Sequence, residues 1–173
     1  MSFVFEFDLP SDEHVRASRL INLRRPITKV MIAGSVAIAL IATAAFARGI
    51  AWNGYDPPFL LALGWCLPVG VVAGLIVGPQ AQVRALRQKN RGAAGPHVYT
   101  LNDAGLEMSA PGATATLTWD NVVEVLESRE FILFYFAASW AQVLPKRAVR
   151  QELLPSLRTA LKQWVGAKAR VIG

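Results

Sequence analysis

The fold class that this sequence predicts is an α+β membrane protein: a two-helix transmembrane hairpin followed by a small antiparallel β-domain that a carboxy-terminal helix closes. Three observations carry that reading. Two long apolar runs, Val30–Ala47 and Phe59–Gly78, flank a short loop and contain no charged residue. Short segments of β character separated by turn residues begin at His97. Leu153, Leu154, Leu157, Leu161 and Trp164 then recur at three- and four-residue spacings, which is one apolar face of a helix.

The apolar runs match the roughly 20 residues that a spanning helix needs, the first being just long enough. At 173 residues and 53% apolar, the chain could form one soluble domain if its apolar residues were spread at amphipathic spacing. They are instead gathered into the two runs, so three segments are expected: residues 1–29, a hairpin with a basic extension over 30–91, and a β-domain with its helix over 97–165. The net charge of +6 is concentrated beside the runs. Arg16, Arg19, Arg24, Arg25 and Lys29 precede the first, and Arg84, Arg87, Lys89 and Arg91 follow the second, whereas the loop between them offers only Arg48. By the positive-inside rule both termini are cytoplasmic, and membrane lipids are the expected partner in place of nucleic acid. The loop then lies outside, with Trp52, Tyr55 and Trp65 at interfacial positions.

Phe3, Phe5, Phe7 and Leu9 alternate with Val4, Glu6 and Asp8, the period of a strand with one buried face. A lone strand is not stable in water, so this one should join the strands that begin at His97. Ser11 suits a helix N-cap, and Asp12 and Glu13 suit the positive end of that helix, which should reach about Arg25. Pro26 either kinks the chain or opens the first spanning helix. Within lipid, helices associate through close packing of small side chains. Gly70, Gly74 and Gly78 on the second run and Ser35, Ala39, Thr43 and Ala47 on the first form such stripes, which serve the hairpin itself or a homo-oligomer. Pro68 predicts a bend. The chain opens MSFVFEFDLPSDE and stays polar until Val30, so the first run is expected to persist as a span and not to be cleaved as a signal peptide.

The β-type segments are HVYTL, LEMS, TATLTW, VVEVLES, EFILFYF and WAQVLP, with NDAG and APGA as turns. Trp119, at a strand end, is expected in the core beside Phe3, Phe5, Phe7 and Pro145. Asp103, Glu107, Asp120, Glu124 and Glu127 read as the solvated side of a sheet. Lys146 and Arg147 follow Pro145 at the end of a strand. With Arg24, Arg25, Lys29, Arg84 and Arg87 they are the candidate residues for binding an anion or a lipid headgroup.

Catalysis has little to work with. His14 and His97 lie in different segments with no metal-binding partner motif, the single Cys66 sits in an apolar run, and Ser139 lacks a nucleophile-elbow context. No enzyme activity, metal or cofactor is therefore expected. No ionisable residue lies within either run to mark an ion or substrate pathway, which weakens the reading as a transporter or channel subunit built from several hairpins.

The segment YTLNDAGLEMSAPGATATLTWDNVVEVLESREFILFYFAASWAQVLPKRAV resembles the YcxB-like family of bacterial membrane proteins. The resemblance rests on Tyr99, Gly105, Trp119 with Val122 and Val123, Glu127, the Phe131–Phe136 strand, and Pro145, Lys146 and Arg147. It departs at Val149, where an aromatic residue is usual. The resemblance implies a reduced pleckstrin-homology-type module behind an amino-terminal strand, a short helix and two spans, in a bacterial inner membrane. It implies no reaction. The expected role is a binding or scaffolding unit, with anionic-lipid recognition by the β-domain as the alternative.

Overall fold

A computed structural model describes residues 2–48, 57–89, 95–110, 113–138 and 140–171. The expectations for Trp52 and Tyr55 fall outside these residues, as does that for Ser139. The chain forms two compact units. One joins Met1–Ile21 to Val83–Gly173, and the other is Asn22–Gln82.

In the first unit, β1 (Phe3–Phe7) pairs antiparallel with β2 (His97–Leu101), Phe3 opposite Leu101 and Phe7 opposite His97. Strands β3 (Gly105–Ala110) and β4 (Ala113–Thr118) complete a four-stranded sheet in the order β1-β2-β3-β4. Gly105 is required where two strands approach, because a Cβ there would sit 2.2 Å from the carbonyl oxygen of Leu117. The second sheet has the order β7-β6-β5-β8, from β5 (Glu124–Glu127), β6 (Phe131–Ala137), β7 (Trp140–Pro145) and the short β8 (Ala169–Arg170). β8 runs parallel to β5 and lies beyond the expected end of the domain at residue 165.

One core joins both sheets to the closing helix. Phe3, Phe5, Phe7, Leu101, Leu106, Trp119, Val125, Ile132 and Phe134 meet Leu157, Leu161 and Val165 of the helix Leu154–Val165. Leu153 is 38% exposed and lies outside that helix, in a preceding single turn, so the apolar face is one residue shorter than its spacing suggested. Gly166, at φ 64°, ends the helix in a conformation that costs glycine little. A second cluster lies on the other face of β6, where Phe131, Leu133 and Tyr135 pack with Val143 against Ala17 and Ile21 of α1 (Ser11–Arg24). That double cover explains why EFILFYF shows no alternation: a strand buried on both faces is apolar throughout. Ser11 is the first residue of α1 and not its cap; the carbonyl of Pro10 accepts the amide of His14 at 3.0 Å.

Tyr99 is buried in the first unit and donates its hydroxyl to Gln142 Oε1 at 3.1 Å. Burial pushes its phenol up to about 12 from the usual 10.0. Below pH 10 the phenol is neutral in both the folded and the unfolded chain, so its contribution is intact. Between pH 10 and 12 only the unfolded chain ionises, and stability falls as pH rises, by about 2 to 3 kcal/mol in the limit. Alkaline unfolding of Tyr99→Phe should lack this part of the decline.

The second unit contains α2 (Pro26–Ala47), with Pro26 in its first turn, and most of α3 (Pro57–Lys89), a helix assigned without interruption through Pro68 and Pro79. Pro26–Ala47 and Leu61–Ala85 are long and apolar enough to cross a membrane. Both are mostly exposed, with 11% and 6% of their most apolar stretches buried, whereas the core helix of a soluble protein is mostly buried. Of the small stripe on α2, Ser35 and Ala39 are buried, whereas Thr43 and Ala47 are exposed. Thr43 returns its hydroxyl to the carbonyl of Ala39 at 2.8 Å and accepts the indole N–H of Trp65 at 3.3 Å.

The glycine that brings the helices together is Gly64. A Cβ there would lie 2.4 Å from Cβ of Ala42, whereas one on Gly70, Gly74 or Gly78 would meet nothing within 4 Å. The four-residue glycine spacing is therefore not the hairpin's contact, because that contact sits nearer the loop. Gly64→Val is expected to separate the helices and lower the detergent stability of the second unit, while Gly74→Leu leaves the hairpin intact. Thermal unfolding of both variants in one detergent checks this.

Candidate functional site

The alternation along β5 puts Glu127 on the same side as Val125, so its carboxylate points inward, contrary to the expectation of a solvated residue. Its side chain is fully buried and holds two cations. Arg158, on the closing helix, donates Nε to Oε2 at 2.9 Å and Nη2 to Oε1 at 2.7 Å, a bidentate fork that fits a carboxylate plane. Lys146 Nζ donates to Oε1 at 2.6 Å and reaches the Ser128 carbonyl at 3.4 Å. The bond to Glu127 holds the Arg158 guanidinium above its usual range. Lys146 stands here because Pro145 ends β7 opposite Phe131 and the chain turns through Lys146–Ala148.

Arg147 turns the other way. It donates Nε to Glu13 Oε1 at 2.6 Å and Nη2 to Oε2 at 3.0 Å, and also binds the carbonyl of Asp8. Its hydrogen bonding to Glu13 holds the Arg147 guanidinium above its usual range. Arg16 of α1 reaches Glu130 at 3.0 Å and Asp12 at 2.9 Å. Glu13 in the first turn of α1 thus meets Arg147 beside the second sheet, and Arg16 one turn on meets Glu130 there. In this way the β1–α1 segment is fastened to the rest of its unit.

Among the candidate basic residues, Lys146 and Arg147 form ion pairs with Glu127 and Glu13. Arg24 ends α1, Arg25 precedes the first turn of α2 and Lys29 lies in it. Arg84 is exposed on α3, and Arg87 lies on the same helix, its side chain outside the description. These five thus lie at the end of α1, at the start of α2 and in the last part of α3. Among the described residues, no group of three His, Cys, Asp or Glu side chains is placed to hold a metal ion. Trp119 is a core residue: its ring stacks on Trp164 with centroids 5.6 Å apart, and its N–H donates to the carbonyl of Asn102 at 2.7 Å.

The sequence offered a signal for the Glu127 cluster that charge alone hides. Glu127 is two residues from Val125 on a strand, and period two places both on one face. No curated protein and no solved structure matches this chain. Residues 101–161, from the end of β2 into the closing helix, match the family model described as YcxB-like protein. The match takes in β3 to β7, the buried Trp119 and the Pro145–Lys146–Arg147 turn, while β1, most of β2 and β8 lie outside it; over these residues the chain is similar to the YcxB-like family.

Proposed function

We propose that the chain is a membrane-anchored, non-catalytic module, with α2 and α3 as a spanning hairpin and the two-sheet unit as a cytoplasmic binding or scaffolding domain of pleckstrin-homology type. The observation that carries the reading is the pairing of β1 with β2. Both ends of the apolar hairpin feed one folded unit, so a hairpin that enters a bilayer must return to the side from which it came. The excess of basic residues outside the hairpin supports the cytoplasmic side. Seven strands, β1 to β7, followed by a closing helix agree with a pleckstrin-homology-type module, with β8 as an addition.

Anionic-lipid recognition through Lys146 and Arg147 has less support, because Glu127 and Glu13 already neutralise them. A tag inserted at residue 53 should be labelled from outside intact cells, and a tag at either end should not. Termini reached from outside would overturn the proposal. For the binding role, crosslinking of the native chain in its membrane should recover a defined set of proteins.

A further inference from the structure

The turn between β6 and β7 differs in charge from the β2–β3 and β5–β6 turns. Asp103 lies in the β2–β3 turn, and Arg129 and Glu130 lie in the β5–β6 turn, whereas Phe131–Pro145 contains no charged residue at all. At its tip Ala137 pairs with Trp140, and the register shifts between Tyr135 and Ala137, which throws Phe136 out of the regular ladder. Phe136 and Trp140 rest on each other with ring centroids 5.1 Å apart. Trp140 is nevertheless 47% exposed, and Ala137 and Ala138 are exposed beside it. Phe136 is partly buried against the core of the unit, so the apolar surface left in water at this uncharged tip is that of Trp140 and the neighbouring alanines.

We infer that the β6–β7 tip, through Trp140 seated on the partly buried Phe136, inserts into the interfacial zone of a lipid bilayer. The inference rests on the membrane reading above. Two helices long and apolar enough to cross a bilayer are covalently joined to this unit, which keeps a lipid surface at high effective concentration around it. Tryptophan suits that zone, because its ring is apolar while its N–H meets headgroups and water. The lack of charge at the tip removes the desolvation cost that a lysine or glutamate would carry there.

The test uses the full chain with Cys66→Ser, reconstituted in phosphatidylcholine vesicles, and an environment-sensitive fluorophore on a cysteine at position 138, 116 or 41. Ala138→Cys leaves Phe136 and Trp140 in place, Thr116→Cys reports an exposed position on β4, and Ile41→Cys reports α2. The expected result is a blue shift at 138, quenching by brominated lipid and loss of quenching by iodide, with the label at 116 quenched by iodide alone. Adding Trp140→Ser should return the label at 138 to iodide. If 138 behaves like 116 while 41 is reached by brominated lipid, the tip inference fails and the membrane reading stands. If 41 is also open to iodide, both fail. A label at 138 that is shielded from iodide but not reached by lipid means that protein, such as a second copy, covers the tip, and this too overturns the inference.

Discussion

Phe5→Asp is expected to remove most of the stability of the two-sheet unit, by about 4 kcal/mol or more. Phe5 is 3% exposed, lies opposite Tyr99 in the sheet and stacks on Phe3 with centroids 6.3 Å apart. Emptying such a site costs about 3 to 5 kcal/mol, and a carboxylate left there without a partner adds its desolvation. A domain of this size has about 5 to 15 kcal/mol to lose. Val4→Asp supplies the control, since Val4 is the next residue on the same strand and 64% exposed. It should change stability by about 0.5 kcal/mol or less. Amide hydrogen exchange over residues 97–165 distinguishes the two, and deleting residues 2–10 should weaken protection in β2, whose edge β1 covers. Unchanged protection after that deletion would mean that β1 contributes nothing to the module.

Glu127→Ala should have the next largest effect. The carboxylate is fully buried, while Lys146 and Arg158 are only partly shielded, at 19% and 24% side-chain exposure. Removing it leaves two cations facing one apolar site. Breaking a buried pair from one side costs more than the pair itself contributes, because the remaining charge keeps its desolvation cost. Both cations keep a path to water, which lowers the expected loss to about 2 to 3 kcal/mol. Glu127→Gln retains the shape and one acceptor and should lose less. Arg16→Ala, which breaks exposed pairs with Glu130 and Asp12, should change little. Thermal unfolding of the three variants ranks them, and equal midpoints for Glu127→Ala and Arg16→Ala would remove the buried carboxylate from the account.

Much of this architecture was legible because the periods are distinct. The alternation of Phe3, Phe5 and Phe7 marks a one-sided strand, and the leucines after residue 153 mark a helix face. What α1 covers was not legible. Only Ala17 and Ile21 of that helix are buried, and a polar helix with two small contacts gives no amphipathic stripe. Its trace was in the partner: β6 has apolar residues on both faces, and each face needs a cover. The setting of Glu127 was misread for a related reason. Counting acidic residues as a solvated face ignored the position of Glu127 on an alternating strand, and spacing alone could not reveal that Arg158 would reach it from the closing helix. For the hairpin contact the regular glycine pattern was no guide, since Gly70, Gly74 and Gly78 meet nothing in the chain while the close approach is made by Gly64 outside that pattern.

The pairing of β1 with β2 also sets an order of events during synthesis. The first strand emerges from the ribosome before either apolar helix and has no partner until β2 has been made. During that interval its three phenylalanines are without their core, and an unpaired apolar strand is the kind of segment that aggregates. The first sheet therefore closes last with respect to its own amino terminus. A chain that stalls within the hairpin keeps β1 unpaired and open to recognition by quality control, whereas a chain that completes the hairpin buries it. Sequestration of Phe3, Phe5 and Phe7 thus acts as a kinetic record that both helices have been made and that the chain has come back.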